Sequence, residues 1–203
     1  MKIRKNKWVV YNPTDSKQSW EDACYNCVYD VLDKCYWDQG DMTTHDKYNY
    51  LITYFDTNIA PIVKGLNSEK IADQNDFDWF MIAATSCSIL QDISPEDVRV
   101  ESIANLLIRK QKDYGPENIS KFGLIGICIR LSDKLARLSN LFMKSGSDDF
   151  KNILNISKLN SVPNETVLDT LIDILGYCVV AMMFIRIDPY TKECEFLLPL
   201  RGY

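Results

Sequence analysis

The sequence predicts an all-α fold, a bundle of about six or seven helices. Apolar residues recur at three- and four-residue spacing through most of the chain, and this spacing places them on one face of a helix. Clusters of Gly, Pro and Ser separate these segments, as in Ser145-Gly146-Ser147, and such clusters end helices. Charged residues inside two apolar segments also recur at helical spacing, so both segments are expected to be helices with a polar stripe.

Each predicted element follows from these periods and from local start and stop signals. The segment from Trp20 to Tyr36 carries apolar residues at positions 20, 24, 27, 28, 31, 32 and 35, which is a helical pattern. Ser94 followed by Pro, Glu and Asp predicts a helix start, because these residues favour the N-cap and the first turn. The predicted helices are Trp20–Tyr36, Lys47–Val63, Phe77–Leu90, Ser94 (as N-cap) to Asp113, Ile119–Met143, Asp148–Leu154 and Asn164 (as N-cap) to Ile185, with an extended arm before Asp15 and a strand or arm at Thr191–Pro199.

The composition is that of an ordinary soluble globular protein. The chain has 203 residues, of which 46% are hydrophobic and 25% charged, with a net charge of -5. A diffuse acidic balance argues against direct nucleic-acid binding, which needs clustered Lys and Arg. The longest apolar run, Ile174–Ile185, is too short for a membrane span and is interpreted as a buried core helix. The N-terminal apolar run is too short for a signal peptide, so we expect a cytoplasmic protein with no membrane partner.

The cysteines and the single histidine restrict the chemistry. Seven cysteines, an odd number, indicate reduced thiols. Cys24, Cys27, Cys35 and His45 suggest a zinc site, but the cysteines fall on one apolar helix face and core packing is favoured. With His45 as the only histidine, histidine-rich metal sites are excluded. Any catalysis would therefore depend on carboxylates with a hard cation such as Mg²⁺.

Two charged stripes are the strongest sign of a functional site. One stripe consists of Arg130, Asp133, Lys134 and Arg137, and the other of Glu165, Asp169 and Asp173. Charges on apolar helices require a partner, a metal or a ligand. Two alternatives remain open: the acidic stripe binds Mg²⁺, or the two stripes form an interhelical ion-pair network.

Three blocks of sequence resemble a known family. They are KDYG at 112–115, RLSDKLARL at 130–138 and ETVLDTLIDILGY at 165–177. In this order they resemble the nucleotide modification associated domain 1 family, small helical domains found largely in phages and bacteria. That family is similar to the MazG-like all-α nucleotide pyrophosphatases and the dimeric dUTPases. The resemblance covers about Glu101–Phe184 and implies a nucleotide ligand, a helical bundle and a homo-oligomer. It divides the chain into residues 1–93, of unassigned role, and a nucleotide-associated domain, 94–203.

The resemblance also implies roles for individual residues. Substrate binding is expected from Lys112, Asp113, Tyr114, Arg130, Lys134 and Arg137. Asp133, Asp169 and Asp173 are the expected Mg²⁺ ligands, and Glu165 is the expected catalytic base or a further ligand. One departure matters. The pyrophosphatases carry a Glu-x-x-Glu pair on the helix before the acidic one, whereas here the matching segment contains only Asp133.

Two functions follow from this comparison. The first is a Mg²⁺-dependent pyrophosphohydrolase that acts on a deoxynucleoside triphosphate, in phage nucleotide metabolism or DNA modification. The second is a non-catalytic nucleotide-binding or regulatory protein. The missing Glu-x-x-Glu pair favours this function because it removes carboxylates needed for two-metal hydrolysis, and the Arg and Lys side chains suit direct binding of phosphate oxygens.

Overall fold

The described part of the chain is an all-helical bundle, as predicted. The computed structural model describes residues 20–35, 41–61, 76–114, 123–145 and 166–186. Its six α-helices in these ranges are α1 (Trp20–Cys35), α2 (Thr44–Tyr54), α3 (Asp76–Ile93), α4 (Val100–Tyr114), α5 (Gly123–Ser145) and α6 (Val167–Arg186). A π-helical turn, Phe55–Ile59, continues α2, and a 3-10 turn, Pro95–Asp97, lies between α3 and α4. The predicted arms and the predicted helix at 148–154 lie outside the described residues.

Helices α3 and α6 form the centre of the bundle. They pack against each other, and α6 also contacts α5, α1 and α4. Helix α3 is buried on nearly all sides, because residues 79, 80 and 82–90 are all buried. An apolar helix of this kind is stable only inside a core. The apolar spacing of this helix predicts Trp79, Phe80 and Met81 to be core residues, and the structure buries Trp79 and Phe80 (0% and 4% exposed) and leaves Met81 partly buried against the core.

Helix α6 is long and apolar enough to span a membrane by length and composition alone. Its segment Val167–Ile185 has a mean hydropathy of 1.9, and 61% of that window is buried inside the protein. Leu171 and Ile174 are completely buried. Core helices of soluble proteins share this pattern, and the burial of α6 against four other helices agrees with the predicted core helix.

Capping boxes fix the starts of two helices. Thr43 accepts a hydrogen bond from the backbone of Asp46, and the Asp46 side chain accepts one from the backbone of Thr43. This reciprocal pair starts α2 one turn earlier than the predicted Lys47. Thr166 and Asp169 make the same pair at the start of α6. The predicted N-cap Asn164 lies outside the described residues.

The predicted helix start at Ser94 is wrong. The Ser94 hydroxyl donates to Glu96 Oε1 at 3.1 Å and caps no backbone N–H. The following residues form only the 3-10 turn, and Val98 (φ -91°, ψ 77°) interrupts the helical path. Helix α4 therefore begins at Val100. A proline and two acids are compatible with one short turn as well as with a longer helix.

Helices on both sides of residue 93 share one hydrophobic core. Helix α1 packs against α4, and α3 packs against α6. An ion pair joins α2 to the end of α3, where the buried Lys47, 7% exposed, lies 2.8 Å from the exposed Asp92. Thr44 donates a further hydrogen bond to Asp92. Helices α1, α2 and α3 therefore belong to the same bundle as α4, α5 and α6.

The described cysteines of the suggested zinc site are core residues. Cys24 and Cys27 are buried and free of disulfides. Burial, together with the neighbouring Cys27, raises the pKa of Cys24 to about 12. Zinc ligation requires thiolates, so this environment favours core packing. His45 packs against Phe142 with ring centroids 5.4 Å apart, and the side chain of Cys35 lies outside the described residues.

Candidate functional site

A cavity between four helices collects several of the predicted site residues. It has a volume of about 140 Å³ and lies between α1, α4, α5 and α6. Its lining combines three cationic side chains, one carboxylate and two aromatic rings with apolar and small residues. The charged and aromatic lining residues are Lys110, Arg130, Lys134, Asp173, Trp20 and Tyr177. A net positive pocket with aromatic walls has the chemistry to bind a phosphate-bearing ligand.

Asp173 is the centre of this site. Its Oδ1 accepts a short hydrogen bond from Lys110 of α4, and its Oδ2 lies 2.8 Å from Lys134 Nζ of α5. The carboxylate, which is 20% exposed, thus holds two lysines that arrive from different helices. One residue of α6 therefore places two ammonium groups side by side on the cavity wall.

The ion pairs determine the protonation of both partners. Burial acts to raise the pKa of Asp173, but hydrogen bonds from Lys110 and Lys134 outweigh it, and the pKa lies below its ordinary value. Burial acts to lower the pKa of Lys134, but its hydrogen bond to Asp173 and the negative charge of Asp173 together outweigh burial, and the pKa is raised. The nearby phenol of Tyr177 contributes in the same direction. Both groups are therefore charged at neutral pH.

The pair should give stability at neutral pH that is lost at both extremes. Asp173 has a lowered folded pKa, so its contribution is present above about pH 4 and is lost as the pH falls through the folded value. Lys134 has a raised folded pKa, so its contribution is present below about pH 10 and is lost as the pH rises through the folded value. We expect the difference in unfolding midpoint between the native protein and Asp173→Asn to be flat between these limits. A difference that persists unchanged down to pH 2 would contradict the ion pair.

Close helix packing shapes the cavity. Gly176 lies on α6 one turn after Asp173, and a Cβ added there would lie 2.5 Å from Leu107 Cδ2 of α4. Glycine therefore leaves room for the end of the Leu107 side chain where α4 contacts α6. Both Gly176 and Leu107 also line the cavity.

Three predicted site residues meet at this cavity: Arg130, Lys134 and Asp173. The two charged stripes meet at Lys134 and Asp173, which form an ion pair as in the second of the two alternatives. Arg130 is exposed at the cavity edge, and Arg137 is half-buried one turn beyond Lys134.

Other predicted residues have different surroundings. Lys112 is 68% exposed and pairs with Glu21 of α1 at 2.9 Å. Asp113 and Asp133 are exposed. Asp169 accepts hydrogen bonds from the backbone and the hydroxyl of Thr166, so it acts as a helix cap. Glu165 and the Tyr114 side chain lie outside the described residues.

The predicted Mg²⁺ ligands do not form one centre. Within the described ranges, no three His, Cys, Asp or Glu side chains lie close enough to hold a metal ion together. Asp169 is engaged by Thr166 and Asp173 by two lysines. As they stand, these carboxylates do not fit a metal site made of protein ligands, and only Asp173 is placed on the cavity wall.

Sequence reasoning missed part of the lining. Lys110 was overlooked although it stands two residues before the KDYG block, within a basic run of α4. Its position on the face of α4 towards α6 is a packing result. Trp20, Gln111 and Tyr177 also line the cavity, and only Tyr177 carries a sequence signal, one turn after Asp173.

Comparison of the chain with protein-family models, with curated proteins and with solved structures finds no match. The function is therefore inferred from the residues that line the cavity.

Proposed function

We propose that this protein binds a nucleotide by its phosphate end in the cavity around Asp173. The single observation that carries the proposal is the convergence of Lys110, Arg130 and Lys134, from two helices, on one cavity. Charge-assisted hydrogen bonds from Lys and Arg are the usual means of binding phosphate oxygens. Cations that serve only as general surface charge would not be expected to converge on one cavity.

The aromatic side chains at the cavity suggest that the ligand also carries a nucleobase. Trp20 and Tyr177 line the same cavity as the cations, and aromatic rings stack on nucleobases without regard to sequence. A cation–aromatic pocket therefore suits a nucleotide better than it suits free phosphate. A nucleotide ligand is also what the resemblance of the KDYG, RLSDKLARL and ETVLDTLIDILGY blocks implies, although no family model matches the chain.

Mg²⁺-dependent hydrolysis is the second candidate. Its support is the position of Asp173, a carboxylate on the wall of a phosphate-binding cavity, because Mg²⁺ typically uses one or two carboxylates together with substrate phosphates. The engagement of Asp173 and Asp169 with other groups favours binding over catalysis in the described state. Phage nucleotide metabolism, a cytoplasmic location and a homo-oligomeric state belong to the same proposal.

One panel experiment tests both candidates. Canonical and modified deoxynucleotides are added to the full chain, once with Mg²⁺ and once with EDTA, and the unfolding midpoint and pyrophosphate release are both measured. A ligand that binds only the folded state raises the midpoint. Stabilisation by nucleotides in EDTA without release is the expected result. Mg²⁺-dependent release would establish the hydrolase instead, and no effect of any nucleotide would overturn both candidates.

A matched variant controls for non-specific charge effects. Arg109 precedes Lys110 on α4 but is exposed and does not line the cavity. Arg109→Met should therefore respond to the panel as the native protein does. An equal loss of response in Arg109→Met and in cavity variants would indicate diffuse electrostatic attraction.

A further inference from the structure

Asp173 already binds the two ammonium groups that a phosphate ligand would need to contact. Each of its two oxygens holds one ammonium group, from Lys110 and from Lys134. Two oxygens of a phosphate group can accept from two neighbouring ammonium groups in the same way. The carboxylate is thus an internal anion within the phosphate-binding cavity, and a ligand must share or take over its lysines.

The charge of the described lining sets a limit on the ligand. Three cations and one carboxylate line the cavity, so a ligand with two negative charges neutralises this lining. A phosphate monoester carries a charge of roughly -1.5 to -2 at pH 7. Each further charge on a metal-free diphosphate or triphosphate meets the Asp173 carboxylate with no additional cation in the described lining. Like charges at such short range repel strongly in a partly buried site.

The size of the cavity agrees with this limit. Its volume of about 140 Å³ is smaller than the roughly 300–1,000 Å³ of pockets that enclose drug-sized ligands. The cavity can therefore enclose one end of a nucleotide and not the whole molecule. A single phosphate group next to Lys110 and Lys134 fits better than an extended chain of three.

We propose that Asp173 is a charge selector that makes this cavity prefer a nucleoside monophosphate over the metal-free triphosphate of the same nucleoside. This inference rests on the proposed nucleotide-binding function. Asp173 is a positioning residue in this role, because it holds the lysines in place and repels surplus negative charge. Mg²⁺ in complex with a triphosphate masks part of that charge, so Mg²⁺ should weaken the preference.

The test is calorimetric titration at one fixed ionic strength with the mono- and α,β-methylene triphosphates of the four deoxynucleosides. The methylene bridge prevents cleavage. In EDTA, the native protein should bind the monophosphate about tenfold more tightly than the triphosphate. Asp173→Asn should reduce this ratio to about threefold or less, mainly by raising affinity for the triphosphate. The exposed Glu101→Gln on α4 is the control and should keep the native ratio.

Two further measurements keep the outcome decisive. Asp173→Glu keeps the negative charge and should keep the preference for the monophosphate over the triphosphate. Mg²⁺ added to the native protein should reduce this preference without any substitution. The selector role of Asp173 would be overturned if the native protein bound the triphosphate as tightly as the monophosphate. It would also be overturned if neither Asp173→Asn nor Mg²⁺ changed the ratio of the two affinities. In both cases the nucleotide-binding proposal would stand. Failure of the native protein to bind any of these nucleotides would overturn the proposed function itself.

Discussion

A Lys110→Met/Lys134→Met double variant should lose nearly all nucleotide affinity and part of its stability. Hydrogen bonds to charged groups contribute roughly 1.5–3 kcal/mol each, so loss of both lysines should weaken binding about 100-fold or more. Methionine keeps the length and most of the volume of lysine, which limits packing effects. Titration of the double variant with the nucleotide that binds the native protein measures the loss.

The stability loss in this variant has a separate cause. Asp173, 20% exposed, would keep its negative charge without either partner, and a partly buried carboxylate left without hydrogen bonds costs roughly 1–3 kcal/mol. Denaturant unfolding should show this decrease. A triple variant that also carries Asp173→Leu removes the stranded charge and should recover much of the stability, because apolar replacement of buried ion pairs is often neutral.

The triple variant separates folding from binding. It should be stable and yet bind no nucleotide, since the phosphate-binding cations are gone. The exposed Arg109→Met variant supplies the control for removal of a cation from α4. Native-like affinity in the triple variant would show that the ligand binds elsewhere. A double variant as stable as the native protein would show that Asp173 does not depend on the two lysines.

Trp79→Ala should cause a large loss of stability, because Trp79 is among the largest fully buried side chains of the described residues. Trp79 is 0% exposed on α3, the helix at the centre of the bundle. Truncation of a buried Trp or Phe to Ala removes burial and leaves a cavity, which costs roughly 3–5 kcal/mol. Total stabilities are only about 5–15 kcal/mol, so the unfolding midpoint should fall by about 10 °C for a chain of this size.

The same helix offers the control for this prediction. Phe77 stands two residues earlier on α3 and is 56% exposed. Phe77→Ala should therefore change the free energy of unfolding by about 1 kcal/mol or less. Circular dichroism during thermal and urea unfolding measures both variants. Equal losses in Trp79→Ala and Phe77→Ala would contradict the placement of α3 at the centre of the core.

Asp173 links these expected effects on stability to the proposed function. The residue holds α4, α5 and α6 together through two ion pairs, and the same contacts arrange the cations of the proposed phosphate site. A structural ion-pair network and a ligand site were alternatives at the level of sequence. In the folded chain the ion pairs lie on the wall of the cavity proposed to bind phosphate, so their presence does not argue against a ligand.

The helical faces of the site could be predicted because they depend on local geometry. Lys134 lies four residues after Arg130, and Asp173 four residues after Asp169, so each pair shares a helix face wherever the helix lies. The burial of Cys24 and Cys27 followed from the same period. The acidic stripe was less uniform than its spacing indicated, because Asp169 caps the helix start through Thr166.

The sequence by itself determined the all-α class, the apolar core helices and the helix faces that carry Lys134 and Asp173. These features depend on side-chain period and on interactions within a few residues. Only the tertiary structure decided that Lys110, 63 positions from Asp173 along the chain, would complete the site, and that Trp20 would line it. Contacts of this kind depend on how whole helices pack, and here Gly176 of α6 leaves room for the Leu107 side chain of α4. Packing of this kind is a property of the assembled core and leaves no local pattern in the sequence.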